Sequence, residues 1–128
     1  MISDLLEWLN DGTGSLDTLV EPYLRDDVGL PAIVYEIQSE EVERDLLNIV
    51  GDLRLSTVSF RCLSATFSVA ESTSQSLIQR LGDFSITSST DIRGISIQSL
   101  DRSYSLPVES SNEIMYEVDV SVVISWSL

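Results

Sequence analysis

The last sixteen residues, Glu113 to Leu128, constrain the fold more than any other stretch of the chain. Every even position there is apolar: Ile114, Tyr116, Val118, Val120, Val122, Ile124, Trp126 and Leu128. The odd positions are mostly polar, with Met115 and Val123 as exceptions. A period of two marks a β-strand with one face buried. Sixteen extended residues span roughly 50 Å, whereas a domain of 128 residues is roughly 35 Å across. A strand longer than its domain is either bent by a bulge or covered by another subunit. The stretch contains no Gly or Pro to break it, so the pattern predicts self-assembly.

The length fits one α+β domain, residues 1–128, with a single core. There are 21 acids against seven bases, all Arg, and no Lys or His. A net charge of −14 excludes phosphate-backbone binding as a main activity, because that needs clustered cations. It also disfavours anionic membrane surfaces. A negative wall repels DNA and so lets it pass with little friction, although high charge also simply confers solubility. The absence of His removes the usual general base and the commonest metal ligand. Cys62 sits in a strand pattern, Val58 to Cys62, where a thiol behaves as a small hydrophobe. The N-terminus lacks the basic region of a signal peptide, and no apolar run reaches membrane-spanning length.

Along the chain, Ser3 fits an N-cap for a short helix with Ile2, Leu5, Leu6 and Leu9 on one face, ended by residues 10–14. Residues 15–29 read as loop with one helical turn. Leu30 to Ile37 is a strand, with Ile33, Tyr35 and Ile37 on one face and Ala32 and Val34 on the other. Residues 39–51 read equally as a helix or as an acidic turn at Ser39 to Glu43 followed by a strand over 44–50. Leu53 to Leu63 is a strand whose apolar phase changes midway. Either a bulge lies near Ser56 and Thr57, or the strand is central and covered on both sides. Ser68 with Glu71 forms a capping-box pattern for a helix carrying Val69, Ala70, Thr73, Leu77 and Leu81, with Arg80 in its last turn and Gly82 at C′. Phe84 to Ile86 reads as a short strand and Ile92 to Tyr104 as a longer one. The expected fold is a mostly antiparallel sheet of four to five strands, with one central helix packed on it and a short N-terminal helix.

No catalytic motif, nucleotide loop or zinc spacing is present, so neither enzymatic activity nor a cofactor is expected. Glu117 and Asp119 are two acids on one strand face that could bind a divalent cation, but no third ligand is evident. They are also the only pair suited to two-carboxylate catalysis, which would require one of them to have a raised pKa.

One extended pattern remains. It runs Leu30-Pro-Ala-Ile-Val-Tyr35, a variable turn, Gly51-Asp-Leu53, Val58-Ser-Phe-Arg-Cys62, Ala65-Thr66 and the helix through Leu77 to Leu81. This resembles the tail-completion (tail-terminator) family of long-tailed bacteriophages over about residues 28 to 82, and in the position of the closing strand. The chain departs from that pattern in its few positive charges and in segment 39–51. The resemblance implies a homo-oligomeric ring, usually hexameric, in the phage tail or neck, assembled in the host cytoplasm. The ring would stop polymerisation of the tail tube protein and present a joining surface to a head connector, adaptor or neck protein. DNA would pass through without specific binding, and no membrane is involved. Candidate interface or channel residues are Glu40, Glu41 and Glu43 in the acidic turn. On the terminal strand they are Met115, Glu117, Asp119, Val123, Trp126 and Leu128. The competing reading is an acidic DNA mimic that inhibits a nucleic-acid enzyme, which would need its carboxylates regularly spaced on one face.

Overall fold

A computed structural model describes residues 2–10, 20–22, 31–44, 50–84, 92–105 and 115–127. In chain order the elements are α1 (Ile2–Leu9), β1 (Val20–Pro22), β2 (Ala32–Arg44), β3 (Val50–Ser64), α2 (Phe67–Gly82), β4 (Ile92–Ser105) and β5 (Met115–Ser127). The fold is α+β. Among the described residues five strands are ordered β1-β2-β3-β5-β4, antiparallel throughout except for β1, which pairs parallel with β2.

The alternation in the terminal stretch is realised as β5. Val118, Val120, Val122 and Ile124 are fully buried, and they stand opposite Cys62, Phe60, Val58 and Ser56 of β3. The strand is not bent by a bulge in its pairing with β3, nor are its edges left for another subunit. It pairs with β3 from Tyr116 to Ser127 and with β4 from Met115 to Trp126. Its length is matched by equally long neighbours in the same chain, so that length carries no argument for assembly.

Both helices lie on the face that these residues define. Leu5 and Leu9 of α1 and Ala70, Leu77 and Leu81 of α2 enter one core cluster with Ile33, Val58, Phe60, Val120 and Ile124. Sixteen helical residues cover roughly 24 Å, about half the length of β5. Apolar side chains at the margins of this face therefore remain exposed: Ile37, Ile97, Tyr104 and Phe67. The two helices are clamped to each other. The Arg80 guanidinium stacks 3.7 Å from the Trp8 ring centroid and donates to the Trp8 carbonyl at 2.8 Å. Trp8 Nε1 donates back to the Arg80 carbonyl at 3.2 Å. Asn10 then ties α1 to the sheet, its amide bonding both the N–H and the C=O of Val20 in β1.

Several local expectations are corrected. The helix α1 begins at Ile2, so Ser3 lies within it. Val20–Pro22 is a strand within a region read as loop. Residues 39–44 are neither helix nor turn; they continue β2 opposite β3, with Ser39, Glu40 and Glu41 facing Thr57, Ser56 and Leu55 in register. The phase change in β3 is not a bulge in that strand, whose pairing with β5 runs without a shift. β3 is central, and Leu55 and Leu63 belong to its second face. Extra residues include Gln38 in β2 and Gln98 in β4, which flank the Val58–Val122 level on opposite sides, and Arg93 in β4. The N-cap of α2 is Thr66, not Ser68, and Glu71 turns away from the helix end to pair with Arg102 of β4. Gly82 is the last helical residue and Asp83 the C-cap. Phe84 follows the helix outside any strand, and 85–86 lie outside the described residues.

Candidate functional site: a carboxylate row on the second face of the sheet

Across the sheet, residues in register share a face. The row through Asp119 runs Val34, Arg61, Asp119, Asp101, and the next row runs Glu36, Ser59, Ser121, Ser99. Glu117, two residues from Asp119, stands between Leu63 and Ser103. Three carboxylates from β5 and β4 thus meet on the face opposite the helices. Arg61 lies 3.7 Å from the Glu36 carboxylate on the β2 side.

The packing of like charges has an electrostatic consequence. Asp119 is half-buried, and its Oδ1 is shielded from solvent without a hydrogen-bond partner. Desolvation, the negative charge of Glu117 and a hydrogen bond with Glu117 raise its pKa from 3.8 to about 7. Asp101 raises it further, and Arg61 opposes the rise. Like carboxylates this close hold a proton between them at neutral pH. Burial and the neighbouring carboxylates therefore favour the protonated form of Asp119. Among the described residues, no three Asp, Glu, Cys or His side chains are placed to hold a metal ion.

Two other charged or reactive groups are accounted for. The Arg102–Glu71 pair links β4 to α2, lowering the Glu71 pKa through its hydrogen bond and raising that of Arg102. Cys62 is fully buried on the core face, and burial, followed by the charge of Asp119, pushes its thiol up to about 12. Such a thiol is not a nucleophile at neutral pH.

The candidate residues separate into groups. Met115, Glu117, Asp119 and Val123 stand on the carboxylate face, each half-buried. Trp126 stands on the core face, its Nε1 donating to the buried Ser56 Oγ at 2.8 Å. Glu40 is exposed on β2, in register with Ser56 and apart from the Asp119 cluster. Glu41 and Glu43 lie on the same strand, and Leu128 lies outside the described residues. Sequence reasoning missed Asp101, because only the strand register brings it opposite Asp119. No described helix is long and apolar enough to cross a membrane. Comparison with models of known protein families finds none that matches the chain, and a search among curated proteins finds no match.

Proposed function

We propose that this chain is a structural protein of a long-tailed bacteriophage. It forms a ring on the tail tube, ends tube polymerisation and offers the joining surface to a head-side connector, adaptor or neck protein. It resides in the virion after assembly in the host cytoplasm. The observation that supports this best is the partition of the sheet. One face is occupied by helices and core, and the other carries Glu36, Asp101, Glu117 and Asp119. In a ring with the helices outward, the carboxylate face lines the axis, where it repels phosphates and lets DNA slide. A buried, inert Cys62 suits a structural role.

Light scattering and negative-stain microscopy of the purified protein test the ring, with a closed, symmetric particle as the expected result. In infected cells lacking the protein, tails should overgrow. Tails of normal length in its absence overturn the reading. One observation favours the DNA-mimic alternative, namely the gathering of Asp101, Glu117 and Asp119 on one face. That reading predicts a monomer or dimer that inhibits a nucleic-acid enzyme, and the mass measurement separates the two.

A further inference from the structure

We propose that successive copies of this chain join head to tail by strand addition. The outer edge of β4 in one copy pairs antiparallel with the Glu36–Arg44 edge of β2 in the next. Closure into a ring rests on the function proposed above, but the contact itself is argued from the edges of the sheet. Among the described residues, no strand pairs with the outer side of β4, and β2 has no outer partner strand beyond Tyr35. An open edge presents unsatisfied N–H and C=O groups that template another strand. The three antiparallel steps from β2 through β3 and β5 to β4 make β2 and β4 run in opposite directions. Copies related by a rotation about an axis along the strands therefore bring β4 antiparallel to the next β2. A contact between unlike surfaces of this kind generates rings when the rotation closes.

Two features favour this pairing. Ile37, Val58, Val122 and Ile97 form one row across the core face. Its inner members are fully buried, while Ile37 is 45% and Ile97 41% exposed. Addition at this level sets Ile97 of one copy beside Ile37 of the next and closes the row. The bulges at Gln38 and Gln98 lie immediately beyond these two residues, one on either side of the row because the two strands run in opposite directions. Charge disfavours the alternative pairing. The β2 stretch carries Glu36, Glu40, Glu41 and Glu43 against Arg44, whereas Arg102 of β4 is already engaged by Glu71. Pairing β2 with a second β2 would oppose acids with acids, which is destabilising. The acids therefore guard that edge against its own kind and leave it open to β4.

The test uses the full chain with Ile37→Cys and Ile97→Cys. Cys62 can stay, because it is fully buried. Directly opposite residues have Cβ atoms roughly 4.5–5.5 Å apart, within reach of a short bismaleimide. An equimolar mixture of the two single variants should give cross-linked dimers, and neither variant alone should do so. The double variant should give a ladder that stops at the ring number. Ile97→Lys should remain folded by circular dichroism, yet raise the concentration needed for assembly at least tenfold. If rings form but the mixture does not cross-link, or if Ile97→Cys cross-links to itself, this pairing is overturned while the ring stands. If the chain stays monomeric at every concentration, both fall.

Discussion

Replacing Asp119 with Asn tests the electrostatic reading of the second face. The carboxyl of Asp119 has its pKa raised from 3.8 to about 7 by desolvation, by Glu117 and by Asp101. The folded state thus holds the proton more tightly than the unfolded chain. The resulting stability is fully present below pH 3.8 and is lost as pH rises through about 7. At 1.36 kcal/mol per pKa unit the upper bound is about 4 kcal/mol. Asp119 is half-exposed, and solvent screening reduces this to about 1–2 kcal/mol. Asn keeps the shape, cannot ionise, and can still hydrogen-bond to Glu117. Urea unfolding of wild type and variant, followed by tryptophan fluorescence at a fixed protein concentration, should give equal stabilities near pH 4. At pH 8.5 the variant should be more stable by that amount. Groups elsewhere, such as Glu71 with its lowered pKa, act equally in both proteins, so the difference between the two curves isolates Asp119. If the curves stay parallel from pH 4 to 8.5, the carboxylates are not sharing a proton and the argument fails.

Ser68→Ala should change stability by less than about 0.5 kcal/mol, because Ser68 is an exposed first-turn residue and not the cap; urea midpoints decide. Arg80→Leu removes the donor to the Trp8 carbonyl and the stack on its ring, and should cost about 1–3 kcal/mol by the same assay. Val122→Asp places an unpaired charge in the core and should abolish folding, while Ser121→Asp on the opposite face should keep the native circular dichroism spectrum. Cys62 should resist thiol reagents at pH 8 in the native protein and react fully in urea, as burial and a pKa near 12 require.

Strands that bury one face were legible because burial writes apolar residues at alternate positions. This held for β5, for the first half of β2 and for the Ile95–Ile97 part of β4. The second half of β2 was not legible. Its Glu40 is exposed opposite Ser56, so it leaves no alternation to read. β1 is three residues long and ends in Pro22, too short for any period. The bulge in β4 did leave a trace: Ile95 and Ile97 are followed in phase by Leu100, a step of three, because Gln98 is the extra residue. The phase change in β3 looked similar but had another cause, since a central strand places Leu55 and Leu63 on its second face. The capping-box pattern failed through tertiary competition. Glu71 gains a charge-assisted partner in Arg102, thirty-one residues away, which a local motif cannot reveal. Of the candidate site, the strand period gave Glu117 and Asp119, whereas Asp101 depended on register.

The distribution of acids follows from the same register. Any net charge of −14 keeps a chain soluble, wherever the acids lie. A two-layer fold leaves them few places to go, because the helix-covered face must be apolar. On that face Val58, Phe60, Val120 and Val122 are fully buried, and Ser56 and Arg102 are each tied to a partner. The odd positions of β5 are therefore the ones free to carry charge. Asp101 of β4 is added because antiparallel pairing sets it opposite Asp119. Placing like charges there has a cost in stability, and the shared proton between Asp119 and Glu117 relieves part of it. The raised pKa of Asp119 favours its neutral form and so lowers the negative charge of the face. If copies join through the edges of β2 and β4, the second faces of neighbouring copies become continuous, and the carboxylate rows align into one belt. A belt of that kind repels a polyanion over its whole circumference and offers it no anchoring cation. Arg61, the base within the row, already faces Glu36 and Asp119.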